Sequence, residues 1–147
     1  MKAFRSYHFR GNIFFILLTV SLVFLLSSCA RKVAFQTSPV VPAAEGSVKI
    51  KKDKNNNYSL DISVRNLAEP QRLNPPRDTY VVWIETDRDG TKNIGQIKSS
   101  SGLFSSKLKA SLEAVTSFKP NRIFITGEND ASVTFPGMQV IIQTGRF

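Results

Sequence analysis

The chain has 147 residues, which is enough for one domain of ordinary size and too few for two. Hydrophobic residues make up 41% of it and charged residues 21%, as in globular rather than disordered proteins. The only histidine is His8 and the only cysteine is Cys29. Because residues 30–147 contain neither type, the body of the chain excludes disulfides, Cys/His zinc sites, histidine-dependent triads and thiol nucleophiles.

The first residues have the pattern of a secretory signal. Lys2, Arg5 and Arg10 form a basic region without an acidic residue, and the apolar or small run Ile13–Leu26 follows it. Those fourteen residues would rise about 21 Å as a helix, short of the roughly 30 Å hydrocarbon core of a membrane. A basic region followed by a short apolar run and small residues indicates a signal peptide rather than a retained span.

The apolar run ends in the tetrad Leu26-Ser27-Ser28-Cys29. The tetrad resembles the lipobox of bacterial lipoproteins, in which the cysteine is acylated and the chain is cut before it. The resemblance implies that residues 1–28 are a signal peptide and that a mature chain of 119 residues begins at a lipidated Cys29. More than one acyl chain there would anchor the protein stably in a membrane. An ordinary signal peptide or an uncleaved anchor with an incidental cysteine is the alternative.

The residues after the cysteine bear on location and on the tether. Ala30-Arg31-Lys32 lacks the aspartate associated with inner-membrane retention in many Gram-negative bacteria, which favours the outer membrane within the cell envelope. Residues 29–45 contain two prolines and little periodicity, so they predict a flexible linker of at most roughly 50 Å. An extra strand at Val33–Phe35 is the alternative.

Alternation of apolar and polar residues with period two predicts strands throughout residues 46–147. Tyr58–Arg65 shows it most clearly, whereas Thr79–Glu85 is apolar on both faces and is expected to be a central strand. The Asn-rich segment Asp53–Asn57 and the pair Asp89-Gly90 predict hairpin turns. The seven expected strands are Val48–Lys51, Tyr58–Arg65, Thr79–Glu85, Lys92–Lys98, Phe104–Leu112, Arg122–Thr126 and Gly137–Thr144.

These patterns predict an all-β domain, an antiparallel β-sandwich of about seven strands. A short helical turn is expected between Leu112 and Phe118, just before Pro120. The proline-rich connection Leu67–Asp78 is unsuited to a helix or a central strand.

A set of short motifs points to one family. In chain order they are Asn66–Pro70, Tyr80–Ile84, Asp89-Gly90, Ile94–Ile97, Ile123–Glu128 and Phe135–Gly137. Their order resembles the extracytoplasmic C-terminal domain of anti-sigma-K factors, over about the last hundred residues. The resemblance implies an immunoglobulin-like β-sandwich. Only Met1–Asn12 precede the apolar run, too little for a sigma-binding region, so the domain is expected to carry over without the regulatory activity.

Two features suggest small-molecule sites, and each has a plainer interpretation. Trp83 could be a sugar-stacking platform, but a tryptophan among apolar neighbours on a central strand is expected in the core. Glu85, Asp87 and Asp89 resemble part of a calcium loop, yet they lack the remaining ligands and are expected to form a solvated hairpin turn. These residue patterns therefore predict a protein without a metal, a cofactor or an enzymatic activity.

The basic residues offer a second kind of surface. Of the formal charge of +9, the part after residue 28 carries +6, and it is too spread out for a nucleic-acid partner. Lys49 and Lys51, with Lys52 and Lys54, form a basic strip that could contact anionic headgroups or acidic glycans. The alternative is that these lysines protect an edge strand from aggregation.

The remaining surfaces are loops. The proline-rich Leu67–Asp78 and Gly127–Pro136 are the longest, and proline-stiffened loops lose little entropy when a partner docks. Candidate contacts on them are Arg72, Arg77 and Asn129. The predicted function is that of a lipid-anchored envelope protein that binds or scaffolds an envelope protein or glycan. The alternative is an extracytoplasmic sensor or accessory subunit of an anti-sigma-type system.

Overall fold

Alternating side chains build an all-β fold in residues 30–100 and 109–147, which are the parts of the chain that the computed structural model describes. Eight strands and one 3₁₀ turn, Pro70–Arg72, occur there. The strands are β1 Arg31–Ala34, β2 Glu45–Lys52, β3 Tyr58–Arg65, β4 Thr79–Thr86, β5 Thr91–Ser100, β6 Lys109–Thr116, β7 Pro120–Glu128 and β8 Val140–Gln143. Among these residues no helix is long and apolar enough to cross a membrane.

The strands form one antiparallel sheet in the order β1-β2-β3-β6-β5-β4-β7-β8. The sheet curls so far that its two ends meet after β1: Phe35 forms a bridge with Thr144, and the Gln36 amide donates to the Gln143 carbonyl at 2.8 Å. The Ser38 hydroxyl, which is buried, also donates to a carbonyl of β8, that of Ile141. The curled sheet therefore encloses a single inner face.

That inner face holds the main hydrophobic core. Strand β3 shows why, since Leu60, Ile62 and Val64 are buried on one side while the residues between them face outward. Every strand from β2 to β8 contributes to this core, with members that include Val48, Leu60, Ile62, Val82, Ile84, Ile97, Ala110, Ile123, Ile125 and Ile142.

Strand β4 is buried on both faces, as its composition predicts. Its inward side chains join the main core, whereas Val81 and Trp83 form a second cluster on the outer face with Phe124 of β7. The Trp83 and Phe124 rings stack with centroids 6.4 Å apart. The core position expected for Trp83 is confirmed, because the residue is 0% exposed.

Both predicted hairpin turns are confirmed. In the β2–β3 turn the Asp53 carboxylate accepts hydrogen bonds from the amides of Asn55 and Asn57, both at 2.8 Å. These bonds, above all the one from Asn57, hold the pKa of Asp53 below its usual value. In the β4–β5 turn Gly90 has a φ of 69°, a conformation that glycine adopts without steric cost.

Three expectations about the strands need correction. The linker predicted over residues 29–45 is wrong at Arg31–Ala34, which pair with β2 as an eighth strand, the alternative left open for Val33–Phe35. The helical turn predicted at Leu112–Phe118 is wrong because β6 continues to Thr116 along its pairing with β3. The last strand is shorter than Gly137–Thr144, since β8 covers only Val140–Gln143. The part of the predicted fifth strand before Lys109, like the signal peptide and Cys29, lies outside the described residues.

Candidate functional site

The two loops expected to contact a partner lie side by side at one end of the sheet. They are the proline loop, residues 67–78, and the β7–β8 loop, residues 129–139. The second loop was expected at Gly127–Pro136, but Gly127 and Glu128 belong to β7. Arg77 Nε donates to Gln139 Oε1 at 2.7 Å, and Gln139 Nε2 donates to the carbonyls of Asn74 and Pro75, both at 3.3 Å. Side chains from each loop therefore join them into one surface.

Buried side chains attach the proline loop to the main core. Leu67 and Leu73 are buried in the main cluster, so the loop contributes to the core although it contains no strand. The Tyr80 hydroxyl donates to the Ala68 carbonyl at 2.9 Å, and burial raises the pKa of Tyr80 to about 12. These contacts fix the position of the loop relative to β4.

The β7–β8 loop is held by a buried chain of hydrogen bonds. Trp83 Nε1 donates to Thr126 Oγ1 at 2.8 Å, and the Thr126 hydroxyl donates to Glu128 Oε1 at 2.5 Å. The same carboxylate oxygen accepts the Gly137 amide at 2.7 Å, across nine residues of chain. A side chain at position 137 would crowd this carboxylate, because a Cβ there would lie 2.9 Å from Glu128 Oε2.

Asn93 forms hydrogen bonds with the first part of the β7–β8 loop. Its Nδ2 donates to the carbonyls of Ala131 and Val133, both at 2.9 Å. Asn93 faces Trp83 because the β4–β5 register shifts at a bulge, where Gly95 has a φ of 132°. The loop thus covers the outer face of β4 and completes the burial of the tryptophan.

This fixed loop exposes two large apolar side chains. Phe135 is 82% exposed and Met138 is 101% exposed. Phe135 lies at the end of a loop that Pro136 marks as a candidate, whereas no sequence pattern marks Met138, whose exposure depends on how the loop is held. Contiguous exposed apolar patches mark interaction sites in many proteins, which makes this loop the candidate contact surface.

The structure assigns different roles to the three candidate loop residues. Arg72 is exposed and its Nε lies 3.3 Å from Glu69 Oε2 within the proline loop. Asn129 is exposed at the start of the β7–β8 loop. Arg77 is half-buried and bonded to Gln139, so it joins the two loops and is not a free contact. Arg72 and Asn129 remain candidate contacts.

The lysines of the basic strip do not all lie on one face of the sheet. Lys49 and Lys51 are exposed on one face of β2, and Lys49 Nζ lies 3.2 Å from Asp61 Oδ2 on β3. Lys52 points to the other face, with its ammonium 5.8 Å from the centroid of the Tyr58 ring. The edge-strand interpretation is wrong because β1 pairs with β2 and makes it an interior strand.

Glu85 and Asp87, two of the acidic residues that resemble part of a calcium loop, pair with other side chains of this chain. Glu85 Oε2 lies 3.2 Å from Arg122 Nε, and Glu85 Oε1 pairs with Arg146. Asp87 accepts a hydrogen bond from Asn121 Nδ2 at 2.6 Å. In the part of the chain that the structure describes, no group of three His, Cys, Asp or Glu residues could hold a metal ion.

Comparison with known proteins identifies no matching family model, no matching curated protein and no matching solved structure. The resemblances to lipoproteins and to anti-sigma-K factors therefore stay predictions. The strongest functional feature of the described residues is the ordered loop surface that carries Phe135 and Met138.

Proposed function

We propose that this chain is a non-enzymatic, lipid-anchored protein of the cell envelope whose β-domain binds an envelope protein through the β7–β8 loop. One observation carries the proposal: Phe135 and Met138 are exposed on a loop that Glu128, Asn93 and Arg77 hold in place. The lipid anchor at Cys29 is part of the proposal and rests on the lipobox-like tetrad.

Docking of the β7–β8 loop would bury apolar surface and would cost little conformational entropy. Burying a large apolar side chain against a partner contributes about 1.5–3 kcal/mol, so Phe135 and Met138 together could provide a substantial part of a binding free energy. A loop that is already ordered loses little further conformational entropy on docking. The hydrogen bonds to Gly137, Ala131 and Val133 therefore favour association as well as stability.

The chemistry of the surface favours a protein over a glycan. Methionine is common at protein-binding surfaces because its flexible thioether adapts to the shape of a partner. Arg72, which pairs with Glu69 on the neighbouring loop, adds an exposed guanidinium, and arginine is enriched in protein interfaces. Scaffolding of an envelope assembly would use the same contacts.

We also propose that the curled sheet is an immunoglobulin-like sandwich. The neighbour order β2-β3-β6-β5 and β4-β7-β8 supports this, since it corresponds to the A-B-E-D and C-F-G sheets of that fold. β1 would be an additional strand, and the pairing of β5 with β4 would join the two sheets. In this correspondence the proline loop and the β7–β8 loop are the B–C and F–G loops, which form a binding surface in antibody variable domains.

Photo-crosslinking in intact cells tests the binding surface. A benzophenone amino acid replaces Phe135 or Met138 in turn, and a matched control replaces Val115, which is 72% exposed on the outer face of β6. We expect a discrete protein adduct from positions 135 and 138 that is absent from position 115. Mass spectrometry of that adduct identifies the partner, and a membrane protein of a sigma-regulatory system would favour the sensor role.

Other outcomes contradict the proposed surface. Adducts common to all three positions would mean nonspecific contact, and the absence of a protein adduct from both loop positions would remove the loop as a docking site. An adduct to glycan alone would overturn the choice of a protein partner. The variant Arg72→Glu should weaken the loop adducts if the proline loop also contacts the partner.

A further inference from the structure

A basic cleft lies at the end of the sheet opposite the two loops. Its volume is about 310 Å³. The cleft is lined by the bases Arg31, Lys52 and Lys119 and by the apolar surfaces of Ile50, Tyr58 and Phe147. The Arg31 guanidinium lies 5.1 Å from the centroid of the Phe147 ring, and the Lys52 ammonium lies 5.8 Å from that of Tyr58.

In the described part of the chain, no basic side chain of the cleft forms a salt bridge. Other cations of the chain, such as Arg122 and Lys49, form ion pairs, but within residues 30–100 and 109–147 none involves Arg31, Lys52 or Lys119. No Asp or Glu side chain occurs among the lining residues of the cleft. Three positive charges around an apolar floor create a site for a ligand with an anionic group and an adjoining apolar part.

The position of the cleft indicates where such a ligand comes from. Arg31 begins β1 and follows Cys29 by two residues, so the lipidation position lies within about 7 Å of chain from the cleft. Tyr58 and Pro120 begin β3 and β7, whereas the loops follow the other ends of those strands. A strand of eight residues is about 24 Å long, so the cleft lies at the end of the sheet where β1 begins and the loop surface lies at the other end.

We propose that the basic cleft binds the phosphate headgroup of an anionic phospholipid beside the lipid anchor. Arg31, Lys52 and Lys119 donate hydrogen bonds to the phosphate oxygens, and the rings of Tyr58 and Phe147 contact the apolar part of the lipid next to its headgroup. Binding there orients the domain with the β7–β8 loop away from the membrane. This orientation rests on the proposed lipid anchor, whereas lipid binding itself does not require acylation.

Tyrosine NMR tests the site on the full chain, purified in a nonionic detergent with its tyrosine rings labelled with carbon-13. The probes are dihexanoyl phosphatidylglycerol, its zwitterionic phosphatidylcholine counterpart and inorganic phosphate. We expect saturable shifts of the Tyr58 signal with phosphatidylglycerol and a constant signal from Tyr80, which is buried elsewhere in the core. Phosphatidylcholine and inorganic phosphate should bind at least about tenfold more weakly.

Two double variants distinguish binding in the cleft from a general effect of positive charge. The variant Lys52→Ala/Lys119→Ala removes two cleft bases and should weaken phosphatidylglycerol binding by about tenfold to thirtyfold. The control Arg65→Ala/Lys98→Ala loses the same charge from exposed positions outside the cleft and should bind like the original chain. Equal weakening in both variants would overturn the site.

The choice of ligand is tested by the same titrations. Equal shifts with phosphatidylcholine would contradict recognition of an anionic headgroup, and equally tight binding of inorganic phosphate would replace the lipid with a free phosphate ligand. A Cys29→Ala chain should bind phosphatidylglycerol as tightly as the original. Failure of this titration leaves the crosslinking result for the loops unaffected, so the two proposals fail separately.

Discussion

Replacing Trp83 by alanine should destabilise the domain by ~3–5 kcal/mol, an amount that unfolds many domains of this size. The ring is 0% exposed, stacks on Phe124 and donates its N–H to Thr126. Its removal leaves a cavity under the β7–β8 loop and an unfilled acceptor at Thr126. Urea unfolding measures the effect, with Met138→Ala as the control, since Met138 is fully exposed and should change stability by less than about 0.5 kcal/mol.

The fluorescence of the same residue provides an independent check. Trp83 is the only tryptophan in the chain, so its emission reports one site. We expect blue-shifted emission and weak quenching by iodide in the folded protein. Ready quenching, or a Trp83→Ala cost below about 1 kcal/mol, would contradict the burial and would restore the ligand-platform interpretation.

Replacing Glu128 by alanine should cost about 2–4 kcal/mol, because hydrogen bonds to a charged group contribute about 1.5–3 kcal/mol each. Glu128 is buried and accepts from the Thr126 hydroxyl and the Gly137 amide. The substitution leaves both donors without their acceptor and releases the middle of the β7–β8 loop. Urea unfolding measures the cost, and hydrogen exchange at the Gly137 amide should become faster.

Asp130 provides the matched control on the same loop. Its carboxylate is exposed and accepts the amide and hydroxyl of Ser132, and the amide bond chiefly lowers the pKa of Asp130. Asp130→Ala should cost less than about 1 kcal/mol and leave exchange at Gly137 unchanged. Equal effects of the two substitutions would contradict the anchoring role of Glu128. If Glu128→Ala folds, it should also weaken the crosslinks from Phe135.

Much of the sheet was predictable because period two and turn chemistry are local properties. The alternation in Tyr58–Arg65 determines which face of β3 is buried, and the doubly apolar Thr79–Thr86 could only be an interior strand. β1 was predicted only as an alternative to the linker, because it has four residues, of which only Val33 is partly buried, and its place depends on pairing with β2. The position of β1 is therefore determined by pairing with a distant segment and not by its own sequence.

The candidate site was predictable only as a pair of loops. Their contact depends on Arg77 and Gln139, which are 62 residues apart, and no local pattern marks that bond. The same holds for Glu128, whose spacing to Gly137 suggests nothing until β7 and β8 are paired. Glu128 and Gly137 occur in two separate motifs, Ile123–Glu128 and Phe135–Gly137, and neither motif distinguishes an anchoring carboxylate from an exposed one.

The envelope location in the proposed function and the proposed orientation of the domain both rest on an anchor at Cys29, so acylation of this residue is the most direct test of the account. Cells that produce the original chain or Cys29→Ala are grown with a clickable fatty acid, and the purified proteins are compared for label. The account predicts strong labelling of the original chain and none of the variant, with the intact mass of the original showing cleavage before Cys29. Equal labelling of both proteins, or of neither, would contradict it.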